Sequence, residues 1–298
     1  MKHILIPLLM SFITLSCAIN VTDNDSSSTS QALDTIKPPQ GRLAIVIDGN
    51  SPDPDDIGAT PVMLALLKQA ELNDRLVHLS HSCDLDPFRN KGIQRIDATN
   101  ELRRQKFLHE LSGKGTELFG PFNNLRSYYN CRTHQEAATL DLRDAINAST
   151  AADPLWIIEA GEPDLIGYAL QRANPAARKH VHVVSHHPAN DNSGDFFSWQ
   201  QILNFGVIEH QIGDQNVGLQ TPIDQWDWAK NHKDSGIAYI WQMMAYAEQD
   251  GVVPFQANKF DCSDAGMVYW WITGANNQGN KNATPEDIKK ILLMTSAN

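Results

Sequence analysis

Basic side chains are scarce in this sequence: 24 Lys and Arg stand against 35 Asp and Glu, a formal net charge of -11. A surface of that sign repels phosphate backbones, and no basic run interleaved with aromatics appears, so a nucleic acid polymer is excluded as a partner. Cysteine is also sparse, with four residues and neither a CxxC nor a Cys/His zinc spacing. With Cys17 set aside, Cys83, Cys131 and Cys262 are an odd set at wide spacing, which is not a disulfide framework. One bridge and three inert buried thiols both stay open. Long apolar runs are lacking too. The run Ile4 to Leu15 is too short to span a bilayer as a stable helix.

That run reads instead as a processing signal. Lys2 and His3 precede it, and Thr14-Leu15-Ser16-Cys17 followed by Ala18 closes it. A small residue before a cysteine directly after the apolar run resembles a bacterial lipoprotein cleavage site, although Thr14 stands where that motif usually carries Leu. The expectation is a signal peptide over 1–17 with lipidation at Cys17. Ordinary cleavage a few residues later is the alternative. Either way the protein is exported, as a membrane-anchored lipoprotein or a periplasmic protein, and touches a membrane only through the lipid. Residues 18–40 lack apolar periodicity and include Asp-Asn-Asp-Ser-Ser-Ser-Thr-Ser and Lys37-Pro38-Pro39, so they read as a flexible tether.

From residue 41 to 298 the pattern is one domain. Leu43 to Ile47 is a continuous apolar run, as in a strand covered on both faces. Ile57 to Ala70 has helical spacing, with Val62, Leu66 and Ala70 on one face and Lys68 and Gln69 turned outward. Strands are predicted at Arg75 to Ser80, Leu155 to Ile158 and His180 to Ser185, with a short one at Gly206 to Glu209. Helices are predicted at Ile93 to Leu111 and Asp164 to Arg172. Strand and helix in alternation argue for an α/β fold with a mostly parallel, Rossmann-like open sheet and helices on both faces. Ligands bind outside the carboxyl ends of such strands. The loops there begin Asp48-Gly49-Asn50, His81-Ser82-Cys83-Asp84, Glu159-Ala160-Gly161-Glu162 and Ser185-His186-His187.

The first of these loops carries Asp48, Asp53, Asp55 and Asp56. So many carboxylates repel one another unless protons or a cation compensate, and hard oxygen ligands suit Ca²⁺ or Mg²⁺. Capping of the following helix would explain Asp53 or Asp55 but not Asp48 at the strand end.

An aspartate ending the first strand, a Gly/Pro turn and an Asp-Asp pair opening a helix resemble the nucleoside hydrolases, and more closely their bacterial exported relatives of uncertain function. Trp156-Ile157-Ile158-Glu159-Ala160-Gly161-Glu162-Pro163 with its helix, and Asp264-Ala265-Gly266-Met267-Val268-Tyr269-Trp270-Trp271-Ile272, resemble later segments of that family in the same order. The resemblance implies hydrolysis of the glycosidic bond of a nucleoside or other glycoside with Ca²⁺ as cofactor. The partner would be a small-molecule or oligosaccharide substrate. By position, Asp56, Asp264, Asp48 and the Ala160 carbonyl would hold the ion, and Asp55 would accept sugar hydroxyls. An ionised carboxylate would then deprotonate the attacking water on the way to an oxocarbenium-like transition state.

One departure matters: Asn50 stands where the family's second aspartate serves as base. An amide can hold a cation or a hydroxyl but takes no proton at neutral pH. Asp48 and Asp53 are therefore the catalytic candidates, and Asn50 joins Glu159 and His187 as candidate substrate ligands. Trp226, beside Asp224 and Asp227, is a candidate sugar-stacking ring, with packing as the competing assignment. If no carboxylate replaces the base, the chain is a non-catalytic, metal-dependent carbohydrate-binding lipoprotein.

Overall fold

The computed structural model describes residues 36–49, 54–86, 98–250, 257–274 and 282–294. Cys17, Asn50 and Asp53 lie outside them, as do the signal segment and most of the tether. At its end the tether is not free of the fold. Ile36 packs on the core, the Lys37 N–H donates to the Ile272 carbonyl at 2.8 Å, and the Trp156 indole N–H donates to the Gln40 carbonyl at 2.9 Å.

The six strands β1 (Arg42–Ile47), β2 (Leu76–His81), β3 (Tyr128–Asn130), β4 (Leu155–Ala160), β5 (Val181–Ser185) and β6 (Ile208–Gln211) form one parallel sheet. Their spatial order is β3-β2-β1-β4-β5-β6. The chain winds outward from β1 in one direction, then returns to β4 and winds the other way. This is the doubly wound α/β arrangement, and the order reverses between β1 and β4. Continuous apolar runs reach the middle of the sheet because both faces are covered.

One face carries α1 (Asp55–Gln69) and, from late in the chain, α6 (Ala265–Ile272) and α7 (Pro285–Leu292); Leu43, Ile45, Trp156 and Ile158 point into it. The other carries α3 (Cys131–Asn147) and α4 (Asp164–Arg172), with Ala44, Val46, Leu155 and Ile157 as its strand contribution. This odd–even alternation is the period-2 signature of a pleated strand. Helix α2 (Ala98–Phe119) lies over the edge near β3, and α5 (Ser235–Asp250) packs on α1. A separate two-stranded antiparallel ribbon, β7 (Gln220–Pro222) with β8 (Lys259–Asp261), leads into α6. Among the described residues, no helix is long and apolar enough to cross a membrane.

The expected strands and the Ile57 to Ala70 helix lie where the sequence placed them, within a residue or two. The β3–α3 unit was not anticipated. The helix expected to end at Leu111 runs on to Phe119, because Gly113 and Gly115 do not break it. A Cβ on Gly113 would lie 2.7 Å from the Tyr128 hydroxyl, and one on Gly115 2.7 Å from a Leu64 methyl. These glycines serve close packing within a helix held by its neighbours.

Candidate active site

At the reversal point β1 delivers Asp48 and β4 delivers Glu159, Ala160, Gly161 and Glu162. Asp48 is buried at 5% exposure, and its N–H donates to the Ala160 carbonyl at 2.8 Å. That bond occupies one lone pair of the carbonyl assigned by sequence to a cation. Gly161 makes room for Asp48. It sits at φ +112°, and a Cβ there would be 2.1 Å from the Asp48 carboxyl carbon.

Asp55 and Asp56 open α1. Pro54 before them gives no side-chain cap, and Asp56 N–H donates to Asp55 Oδ1 at 3.0 Å. Asp264 precedes α6. The two helix starts are drawn together because α1 packs on the ribbon that leads into α6: a Cβ on Gly58 would lie 1.9 Å from the Asp261 carbonyl. The outcome is that Asp55, Asp56 and Asp264 each offer an oxygen within 4.8 Å of the others. Asp56 is fully buried and Asp264 nearly so. The positive ends of two helices favour these carboxylates as anions. Their mutual repulsion is the term a cation would remove.

Asp264 is held from behind. His186, at the end of β5, donates from Nε2 to Asp264 Oδ1 at 3.1 Å, and its Nδ1 lies 3.3 Å from the Gln215 backbone nitrogen. Asp214 lies 3.8 Å from the same Nδ1. Burial works against a charged ring, but the contacts with Asp214 and Asp264 and their negative charges lift His186 to about 9. The same His186 contact holds Asp214 below the usual carboxylate range. A histidine orienting a ligating carboxylate is a recurrent outer layer of metal sites. His187, the candidate substrate ligand, is the next residue. That ring is partly exposed, accepts the Ala189 N–H at 3.0 Å as a helix cap, and stands 3.9 Å from Asp214.

Glu159 is wholly buried, and neither carboxylate oxygen has a hydrogen-bond partner among the described residues. Burial first, then the charge of Asp191, raises it well above the usual range; Asp264 and Asp48 add to the effect. There is a second acidic group: Asp84, Glu162 and Asp195 also bring oxygens within 4.8 Å of one another. Asp84 comes from the loop after β2, whose N–H donates to the Asp48 carbonyl at 3.1 Å. Burial and the neighbouring Asp84 and Asp164 raise Glu162 strongly. Arg132 Nη2 stands 3.6 Å from Asp84 Oδ1.

Trp226 is corrected. It is fully buried in the core with its indole N–H donating to Thr221 Oγ1 at 3.1 Å, so it has no face to offer a sugar and takes no part in the site. Asp214 and the packing role of Gly161 were not found from sequence, and Asp195 was marked there only as a neighbour of His186 and His187. Asp214 and Asp195 lie in polar loops whose residues carry no periodicity, and only the chain's path past β5 brings them in.

No family model matches the chain. Solved structures that overlap it include a plant nucleoside hydrolase (PpNRh1; 11% identity, 78% of this chain and 79% of that one, TM-score 0.45), the effector protein XOO4466 (10%, 91% and 97%, 0.48) and the type III effector XopQ complexed with adenosine diphosphate ribose (10%, 91% and 98%, 0.48). Overlaps this loose assign no residue a role. With uncharacterized protein P22 of Formosa agariphila the chain shares 50% identity over 257 residues, covering 86% of this chain and 92% of that one, and it belongs to that protein's family.

Proposed function

We propose that the chain is an exported, Ca²⁺-dependent hydrolase of the nucleoside-hydrolase-like type that cleaves a glycosidic bond of a nucleoside or other glycoside. The observation that carries this reading is the convergence of Asp55, Asp56 and Asp264, from opposite ends of the sequence, onto one spot, with Asp264 bonded to His186 at the carboxyl end of β5. Hard, buried carboxylate oxygens fit Ca²⁺. Asp56 and Asp264 would hold it, with Asp48 and the second lone pair of the Ala160 carbonyl beside them. When bound, the ion supplies Lewis-acid stabilisation of negative charge at oxygen.

The protein's own groups account for the other roles. Asp55, at the edge of the cluster, accepts hydrogen bonds from sugar hydroxyls. Asp48 accepts the proton of the attacking water, the task that Asn50 cannot perform. Burial favours the neutral form of Glu159, which donates a hydrogen bond where an ionised carboxylate could only accept one. His186 keeps the Asp264 carboxylate in place. Export, and attachment to a membrane through a lipid on Cys17, belong to the same proposal.

The test is release of free sugar from a panel of nucleosides and glycosides, with Ca²⁺ and with a chelator. The expected result is cation-dependent release that Asp48→Asn and Asp56→Ala abolish. The second reading, a non-catalytic metal-dependent carbohydrate-binding protein, is favoured by Asn50. Saturable binding of a sugar without turnover would establish it.

A further inference from the structure

We propose that Cys83 and Cys131 form an intrachain disulfide when the chain folds in an oxidising compartment, stapling the loop that supports Asp48 to the start of α3. The sheet register sets this up. β2 and β3 are parallel neighbours with His81 opposite Asn130. Cys83 lies just past the end of β2, and Cys131 is the first residue of α3, directly after β3. Adjacent strands run about 4.8 Å apart, within the usual Cα separation of bridged cysteines. The two sulfurs meet at 2.8 Å, and both are buried. A bond of about 2.05 Å needs only a further ~0.8 Å of approach. Among the described residues, Cys262 has no such neighbour. It lies in the other core layer, beside the Leu219 carbonyl, which resolves the odd cysteine count into one pair and one inert thiol.

Burial and the adjacent Cys131 raise the Cys83 thiol well above its ordinary range, so the thiolate needed for exchange is scarce once the fold has closed. The bridge therefore forms during folding and is afterwards out of reach of reductants. That makes it structural, unlike an exposed redox sensor. In forming it, two thiols give up two protons and two electrons and make one S–S bond. A disulfide oxidant such as glutathione disulfide accepts them and leaves as two thiols.

The staple acts where the fold is under load. Ser82, beside Cys83, adopts φ +55°, a conformation that non-glycine residues seldom hold. The Cys83 N–H donates to the Ile47 carbonyl at 3.0 Å and the Asp84 N–H to the Asp48 carbonyl at 3.1 Å, so this loop carries the end of β1. Arg132, next to Cys131, reaches Asp84 at 3.6 Å and Glu101 at 3.0 Å, an ion-pair clamp alongside the bridge. None of this depends on which ligand the site takes.

The test folds the full chain with a reduced/oxidised glutathione buffer, by refolding or by expression in an oxidising compartment. The product is then denatured in iodoacetamide without reductant, and the peptides are mapped. The expected product has Cys83 and Cys131 joined and unlabelled and Cys262 labelled, with both released by dithiothreitol. For cysteines 48 positions apart, the oxidised chain should melt roughly 10 °C above the reduced one. A Cys83→Ala/Cys131→Ala double variant should show no redox-dependent shift. If Cys83 and Cys131 both carry the label after oxidative folding, or either is joined to Cys262, the proposal is wrong. Peptide mapping on the unmutated chain decides this even if the variant fails to fold.

Discussion

Gly161 has no room for a side chain: a Cβ would fall 2.1 Å from the Asp48 carboxyl carbon, at a φ of +112° that L-residues avoid. Gly161→Ala should therefore destabilise the fold by about 3 kcal/mol or more, from strain and overpacking together, and displace Asp48. Chemical denaturation checks the first effect and the sugar-release assay the second. His186 makes a finer test. It reaches the proposed cation only through Asp264, so His186→Ala should weaken Ca²⁺ about 10- to 100-fold by calorimetry while leaving the ligand carboxylates in place. Trp226 supplies the contrast. Trp226→Ala should cost about 3–5 kcal/mol as a core deletion, with Ca²⁺ affinity unchanged in the fraction that remains folded.

At the scale of elements, what was legible in the sequence follows from how each element is buried. β1, β4 and β5 carry continuous apolar runs because the sheet is covered on both faces, and such runs are visible without a structure. β3 is three residues long, and α3 follows it directly with Arg132, Gln135, Glu136, Arg143 and Asp144 among its residues, so neither has an apolar run to announce it. The Asp-Asp pair opening α1 and the aspartate before α6 were legible as residue types at helix starts. Their meeting followed only from the family resemblance and not from local pattern, because it depends on α1 resting on β8 through Gly58. His81, at the end of β2, carries a consequence at this scale. Burial first, and then its partner His109, push it down to about 3. A histidine whose folded value lies below its unfolded one is favoured neutral, so its contribution is full above about pH 6.5 and is lost as pH falls towards 3. The loss is on the order of 4–5 kcal/mol if His81 acts alone. Thermal melts from pH 7.5 to 4.5 should fall steeply, and His81→Gln should flatten that fall.

For the whole molecule, two acidic groups gather carboxylates from distant parts of the chain: Asp55, Asp56 and Asp264 in one, and Asp84, Glu162 and Asp195 in the other. Buried like charges burden the folded state until protons or a cation compensate, so stability should be linked to cation occupancy. Ca²⁺ at about a hundredfold over its dissociation constant should raise the melting temperature by roughly 5–10 °C, and a chelator should reverse the shift. The measurement that bears most directly on the site is titration calorimetry of Ca²⁺ into the unmutated protein and into Asp56→Ala and Asp264→Asn. Binding to the unmutated chain that each substitution weakens more than about tenfold is the predicted result, since each removes a charged ligand from a buried set. No binding to the unmutated chain, or equal binding by all three proteins, would contradict the assignment of Asp56 and Asp264 as cation ligands.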